Sequence, residues 1–187
     1  CTRLVIETSW VQIPPLASPP MPLRLCVVTG LPGVGKTTVS RALADHVDAR
    51  LVRTDTVRAD CVSDPQYTPS ERATVYDEVF DRARKTLAGG RNVVLDGTFQ
   101  WRADRKRAVG IAAETGATLG VVVVDCDEST VRDRITAREG DASDADFGVY
   151  REIRAEYDPV RLPHATVDNS GGLDATEAQV AALVDDG

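Results

Sequence analysis

Apolar positions along this chain fall into two alternating kinds of run. Leu23–Thr29 (LRLCVVT), Asn92–Asp96 (NVVLD) and Thr118–Asp125 (TLGVVVVD) are nearly unbroken, short and rich in β-branched residues. That is the pattern of strands covered on both faces in a parallel sheet. Two weaker stretches, Ala49–Asp55 and Ala165–Asp168, bring the expected strands to five. Between them the apolar residues recur every three or four positions. Val39, Ala42, Leu43 and Val47 do so over 38–47, and Val75, Val79, Ala83 and Leu87 over 69–88, which predicts amphipathic helices. Ser70 is the expected cap of the longer one, and Gly89-Gly90 its stop. Further helices are expected over 102–114, 128–138, 144–157 and 174–184, with a helical turn and loop over 56–68 and a break over 140–143. Strands alternating with helices predict an α/β fold built on a parallel sheet with right-handed crossovers.

The first twenty residues stand outside this alternation. Pro14, Pro15, Pro19 and Pro20 crowd their end, and Met21, the sole methionine, directly precedes the first strand. The expected organisation is a disordered or non-native extension over 1–21 and one domain over 22–187. The extension lacks the sustained apolar core of a signal peptide. No run approaches the roughly 18 apolar residues of a membrane span, so no membrane partner is expected.

Charge and cysteine content narrow the picture. The net charge is −7, with 29 acidic against 22 basic residues, of which only Lys36, Lys85 and Lys106 are lysine. Non-specific duplex binding relies on a basic surface, so this balance argues against it. Cys1, Cys26, Cys61 and Cys126 have no metal-ligand spacing, which fits a reducing, cytoplasmic setting better than a disulfide framework.

One stretch carries specific chemistry. Gly30-Leu31-Pro32-Gly33-Val34-Gly35-Lys36-Thr37 fits G-x-x-x-x-G-K-[ST], a phosphate-binding loop, and it lies between an expected strand and an expected helix as that motif requires. Its glycines let backbone N–H groups turn toward phosphate oxygens, and the following helix points its positive end at the same anion. These eight residues and Thr38 are the expected ATP-binding set, with Lys36 on the β- and γ-phosphates and Thr37 on Mg²⁺.

Other candidates lie at strand ends and on the helices that follow. Asp96 closes an apolar strand, the position of a carboxylate that holds Mg²⁺; the alternative is a cap for the next turn. Asp55 and Arg58, three apart, can face one cleft, the carboxylate taking a proton from a substrate hydroxyl and the guanidinium orienting the acceptor. Asp55 as a helix cap is the alternative. Arg134 and Arg138, four apart, can close over phosphates as a lid, or form a solvated face with Asp133 and Glu139. Arg102 and Arg105 are candidates at the crevice or on a solvated helix face. The turn Val167–Gly171 is a candidate neighbour of the adenine.

The segments Leu31–Thr37, Thr54-Asp55-Thr56-Val57-Arg58, Val93–Phe99 with Arg102 behind it, and Arg134-Ile135-Thr136-Ala137-Arg138 occur in this order. Together they resemble the small P-loop kinases grouped as AAA-type ATPases or kinases, which include polynucleotide 5′-kinases, zeta-toxin-like kinases, gluconate kinase and chloramphenicol phosphotransferase. The resemblance spans about residues 23–185. It implies a three-layer P-loop NTPase fold, a five-stranded parallel sheet in the order 2-3-1-4-5, and a helical lid. It also implies ATP, Mg²⁺ and phosphoryl transfer to an alcohol. It assigns Asp55 as general base, Arg58 as substrate-orienting arginine, and Arg134 and Arg138 as lid arginines.

The expected function is phosphoryl transfer from Mg-ATP to a small-molecule or nucleoside-type hydroxyl, by a monomer or homodimer. A polynucleotide 5′-hydroxyl kinase is the second reading, which the acidic balance disfavours. A regulatory ATPase with no acceptor is the third, for which the Asp55/Arg58 pair would be superfluous. No guanine-reading N-K-x-D motif is present, and the motifs do not choose the acceptor.

Overall fold

The computed structural model describes residues 22–138 and 143–185. The expected extension over 1–21 and most of the expected break over 140–143 lie outside the described residues. Five strands, β1 (Arg24–Thr29), β2 (Ala49–Arg53), β3 (Asn92–Asp96), β4 (Thr118–Asp125) and β5 (Ala165–Asp168), form one sheet in the order β2-β3-β1-β4-β5. Every pairing is parallel, so the order implied by the resemblance is the one observed. The helices are α1 (Lys36–His46), α2 (Thr54–Cys61), α3 (Pro69–Ala88), α4 (Arg102–Thr115), α5 (Glu128–Arg138), α6 (Ser143–Glu156) and α7 (Leu173–Asp185).

Strand side chains alternate between faces, and this alternation builds a core on each side of the sheet. Leu25, Val27 and Leu95 join Val75, Val79 and Phe80 of α3 and Ile111 of α4 on one face. Cys26, Val28 and Val122 join Val39 and Leu43 of α1, Val131 of α5 and Val180 of α7 on the other. Helices on both faces of a parallel sheet make the three-layer α/β architecture. Strand order reverses on either side of β1, and the chain leaves the carboxyl end of β1 at Gly30. A ligand crevice is expected at that switch point. Among the described residues, no helix is long and apolar enough to cross a membrane.

Local boundaries differ from expectation where the loop chemistry takes over. Helix α1 starts at Lys36, two residues early, because the glycine-rich loop winds directly into it: the N–H of Thr38 donates to the Gly35 carbonyl at 3.0 Å. Strand β2 ends at Arg53, and Asp55 belongs to the first turn of α2, not to the strand. The cap of α3 is Thr68 and not Ser70. Thr68 Oγ1 accepts from the Glu71 N–H at 3.2 Å, with Pro69 in the first helical position, where a missing N–H costs nothing.

Candidate active site

The loop Gly30–Thr37 is held from behind by residues far away in sequence. Gly35 has φ 87°, and a Cβ there would collide with the Asn169 side-chain amide. Asn169, buried at the end of β5, donates from Nδ2 to the Val34 carbonyl at 2.8 Å and accepts from Thr176 Oγ1 at 2.7 Å. Arg134 donates to the Asn169 carbonyl at 2.9 Å and to the Val34 carbonyl at 3.4 Å. The turn expected beside the adenine thus braces the loop, and Arg134 leans on the loop backbone, not on Asp133. The Arg138 side chain lies outside the described residues. Lys36 Nζ donates to the Leu31 carbonyl at 2.8 Å, folded across its own loop.

Asp96, 4 % exposed, accepts a hydrogen bond from Thr37 Oγ1 at 2.8 Å. Two hard oxygens from the loop and from β3 therefore stand side by side. Mg²⁺ suits such a pair, because it takes one or two protein oxygens and completes its shell with phosphate and water. Among the described residues there is no cluster of three or more His, Cys, Asp or Glu that could hold a metal ion. Asp96 is engaged by Thr37 and Arg53 instead of capping the following turn.

A pocket of about 310 Å³ lies over the loop, lined by Lys36, Thr37, Asp55 and Asp96 among others. A larger cavity of about 640 Å³ adjoins it, lined by Arg58, Tyr67, Arg72, Tyr76, Gln100 and, from α6, Val149 and Ile153. The two share Pro32, Thr54, Asp55 and Thr98. Asp55 is therefore on the common wall, with its side chain 81 % exposed. It does not cap α2, whose N-cap position is Arg53 and carries no side-chain cap bond.

The arginines of the larger cavity are already matched. Arg58 pairs with Glu71 and stacks over the Tyr67 ring at 4.8 Å. Arg72 pairs with Asp104 and lies 4.2 Å from the Tyr76 ring centroid. Each guanidinium is offset by a carboxylate in contact with it, so this wall presents little net positive charge to a ligand. Glu71 also accepts from the N–H groups of Gln66 and Tyr67, at 2.7 and 2.9 Å. Burial raises its pKa, but those two bonds and the Arg58 guanidinium outweigh burial and hold it below the ordinary glutamate value. Burial pushes the Tyr76 hydroxyl up to about 12 and the Cys26 thiol up to about 11, so both stay protonated and neutral near pH 7.

Of the remaining candidates, Arg105 is neither at the crevice nor on a solvated face. It is 2 % exposed and donates to the carbonyls of Phe99, Gln100, Asp158 and Pro159 at 2.6 to 3.1 Å. Arg102 lines a separate small recess with Arg161 and Lys106, away from both pockets. Sequence reasoning missed Arg53, Glu71 and the bracing role of Asn169. Glu71 had a readable signal, the capping-box spacing Thr68-x-x-Glu71. Arg53 had none, because it meets Asp96 only through the β2–β3 register, where the two are partners.

A family model described as AAA domain matches residues 25–160. An uncharacterized protein of Mycobacterium tuberculosis is 35% identical over 172 residues, covering 84% of this chain and 34% of the relative, and a Mycobacterium bovis protein matches equally. The chain spans about a third of the length of the curated relatives it matches. Solved structures that share the fold include the following three. The APS kinase CysC of M. tuberculosis, in complex with AMPPNP and APS, superposes with a TM-score of 0.69 at 18% identity, covering 89% of this chain and 99% of that one. A gluconokinase from Sinorhizobium meliloti gives 0.64 at 20%, covering 88% and 95%. Kti12 of Chaetomium thermophilum, in complex with ADP-AlF3, gives 0.65 at 19%, covering 86% and 97%.

Proposed function

This chain belongs to the AAA domain family matched over residues 25–160, and from that membership we propose that it is a kinase that moves the γ-phosphoryl of Mg-ATP to the hydroxyl of an uncharged small molecule. The observation that carries the reading is the position of Asp55 on the wall shared by the phosphate-loop pocket and the larger cavity. A donor in one and an acceptor in the other meet at that carboxylate. The neighbouring folds include proteins solved with AMPPNP and with ADP-AlF3, which supports a nucleotide in the first pocket.

In this reading ATP supplies the phosphoryl group, and Thr37 and Asp96 would hold Mg²⁺, which would supply positive charge to offset the negative charge of the phosphates. The residues of the chain do the rest. The backbone from Gly30 to Thr38 cradles the phosphates, and Lys36 leaves the Leu31 carbonyl to reach them. Asp55 takes the proton from the acceptor hydroxyl as its oxygen bonds to the γ-phosphorus and the bond to the β-bridging oxygen breaks, leaving ADP. Arg58, kept in place by Glu71, orients the acceptor. Arg134 and Arg138 are the proposed lid arginines, and closure would exclude competing water. Positioning and electrostatics carry most of the rate enhancement.

The neutral walls of the larger cavity favour a small uncharged alcohol over a nucleic-acid end, whose phosphates would need unmatched cations. The test is ADP release by the purified chain with a panel of nucleosides, sugars and amino alcohols, beside a 5′-hydroxyl oligonucleotide. Release that rises with one uncharged acceptor, with phosphate recovered on it, is the expected result. Stimulation by the oligonucleotide alone would overturn the acceptor class. Nucleotide binding with no stimulated turnover across a broad panel would favour a regulatory ATPase.

A further inference from the structure

Arg53 is the last residue of β2, directly opposite Asp96 in the neighbouring strand. Paired residues of a parallel sheet project to the same face, so its guanidinium enters the site from the side. Nε lies 3.3 Å from Asp96 Oδ2. Nη2 lies 3.3 Å from Thr37 Oγ1 and 3.5 Å from Asp55 Oδ2. One planar fork thus touches the two oxygens of the proposed metal seat and the carboxylate of the proposed base. Thr37 spends its hydroxyl hydrogen on Asp96, which leaves its lone pairs for Arg53. A divalent cation held by Thr37 and Asp96 would draw on the same two side chains that Arg53 contacts. All three guanidinium contacts, at 3.3 to 3.5 Å, are longer than an ordinary N–H···O bond of about 2.7–3.2 Å, as for a cation held loosely enough to yield.

We propose that Arg53 is the resident cation of the metal seat, occupying Thr37 and Asp96 in the nucleotide-free chain and yielding them to Mg²⁺ when nucleotide binds, while it stays beside Asp55 as a positioning residue. The proposal rests on the reading of Thr37 and Asp96 as the Mg²⁺ seat. It follows from charge: the buried Asp96 carboxylate needs a counter-ion when no metal is present, since an unpaired buried charge is costly. Two cations cannot share one oxygen pair without repulsion. Arg53 therefore helps nucleotide phosphates when Mg²⁺ is scarce and competes with the metal when it is abundant.

Opposite signs make this testable by binding alone. A fluorescent ADP analogue is titrated into the full chain in EDTA and then across a range of Mg²⁺ concentrations, for wild type and for Arg53→Gln, with thermal melts as a folding control. Arg53→Gln is expected to weaken binding in EDTA and to lower the Mg²⁺ concentration for half-maximal tightening by about tenfold, roughly the effect of removing one nearby repulsive charge. A variant that weakens both, or that leaves the Mg²⁺ dependence unchanged, would overturn the proposal, because a merely structural arginine can only loosen the seat. In the wild-type chain the Arg53 Nε–H resonance, assigned by its absence in Arg53→Lys, is expected to move on Mg²⁺–ADP more than on ADP in EDTA. No Mg²⁺-dependent movement would likewise overturn it. If wild type binds no nucleotide at all, the kinase reading itself fails; if wild type shows Mg²⁺-linked binding and only the Arg53 effects are missing, the Arg53 proposal fails alone.

Discussion

Gly35 shows how little latitude single positions have at this site. Its backbone is in the left-handed region, and the space beside it is filled by Asn169. Gly35→Ala combines conformational strain of about 1–3 kcal/mol with a clash against a buried amide. We expect nucleotide affinity to fall at least tenfold with the global fold retained, read by calorimetric titration and far-UV circular dichroism. Lys36→Ala and Asp55→Asn separate binding from transfer. The first is expected to lose both phosphate affinity and turnover. The second is expected to keep nucleotide affinity and lose about 10²- to 10⁴-fold in acceptor-stimulated turnover. Loss of nucleotide binding in Asp55→Asn, with turnover spared at saturating ATP, would remove Asp55 from the role of base.

The segment from α2 through the start of α3 works as one element, and Glu71 is its knot. It joins the Thr68 cap, the N–H groups of Gln66 and Tyr67, and Arg58, and it holds Tyr67 at φ 54°. Its pKa is lower in the folded chain than the ordinary 4.5. The stability it contributes is therefore complete above that value and is lost as the pH falls below it through the folded pKa. Tyrosine fluorescence should report loosening of this segment in acid, and Glu71→Gln should loosen it already at pH 7 and raise the KM for acceptor. The link from β3 to α4 has a different knot. Arg105→Met would remove the donor that ties together four carbonyls, leaving the buried Phe99 carbonyl unpaired, a cost of about 1–3 kcal/mol. Urea denaturation should show that loss, while nucleotide affinity, measured well below the unfolding transition, changes little.

At the scale of the whole molecule, stability and chemistry occupy different regions. The core under α3 and α4 is closed by Phe80 and Phe99 against Tyr76, with the Tyr76 and Phe99 ring centroids 5.3 Å apart. Phe80→Ala should cost about 3–5 kcal/mol in chemical denaturation. The chain is acidic overall, and the crevice sets Lys36, Arg53 and Arg58 against Asp55, Asp96 and Glu71 at the carboxyl ends of the strands. Distribution of charge, not its sum, governs what binds there.

Hydrophobic periodicity and one glycine-rich motif sufficed to predict five strands, the helices around them, the α/β class and the place of the glycine-rich loop between β1 and α1. Those features depend on neighbours within a few residues, and local pattern records such dependence. The unusual backbone at Gly35 and the spacing of Lys36 and Thr37 are equally local. The same text misassigned Arg105, left Arg53 unnoticed and offered for Arg134 a lid over phosphates or a face shared with Asp133 and Glu139 without its contacts to Val34 and Asn169, because the partners of these residues come from other strands and loops. Strand order, which rests on packing across the sheet, brings Arg53 to Asp96 and Asn169 to Val34. The pairing of Arg58 with Glu71 and of Arg72 with Asp104, and so the neutral wall of the larger cavity, exists only once α2, α3 and α4 are packed together. A side chain's charge is written in the sequence, but the field it projects depends on which opposite charge the fold sets against it.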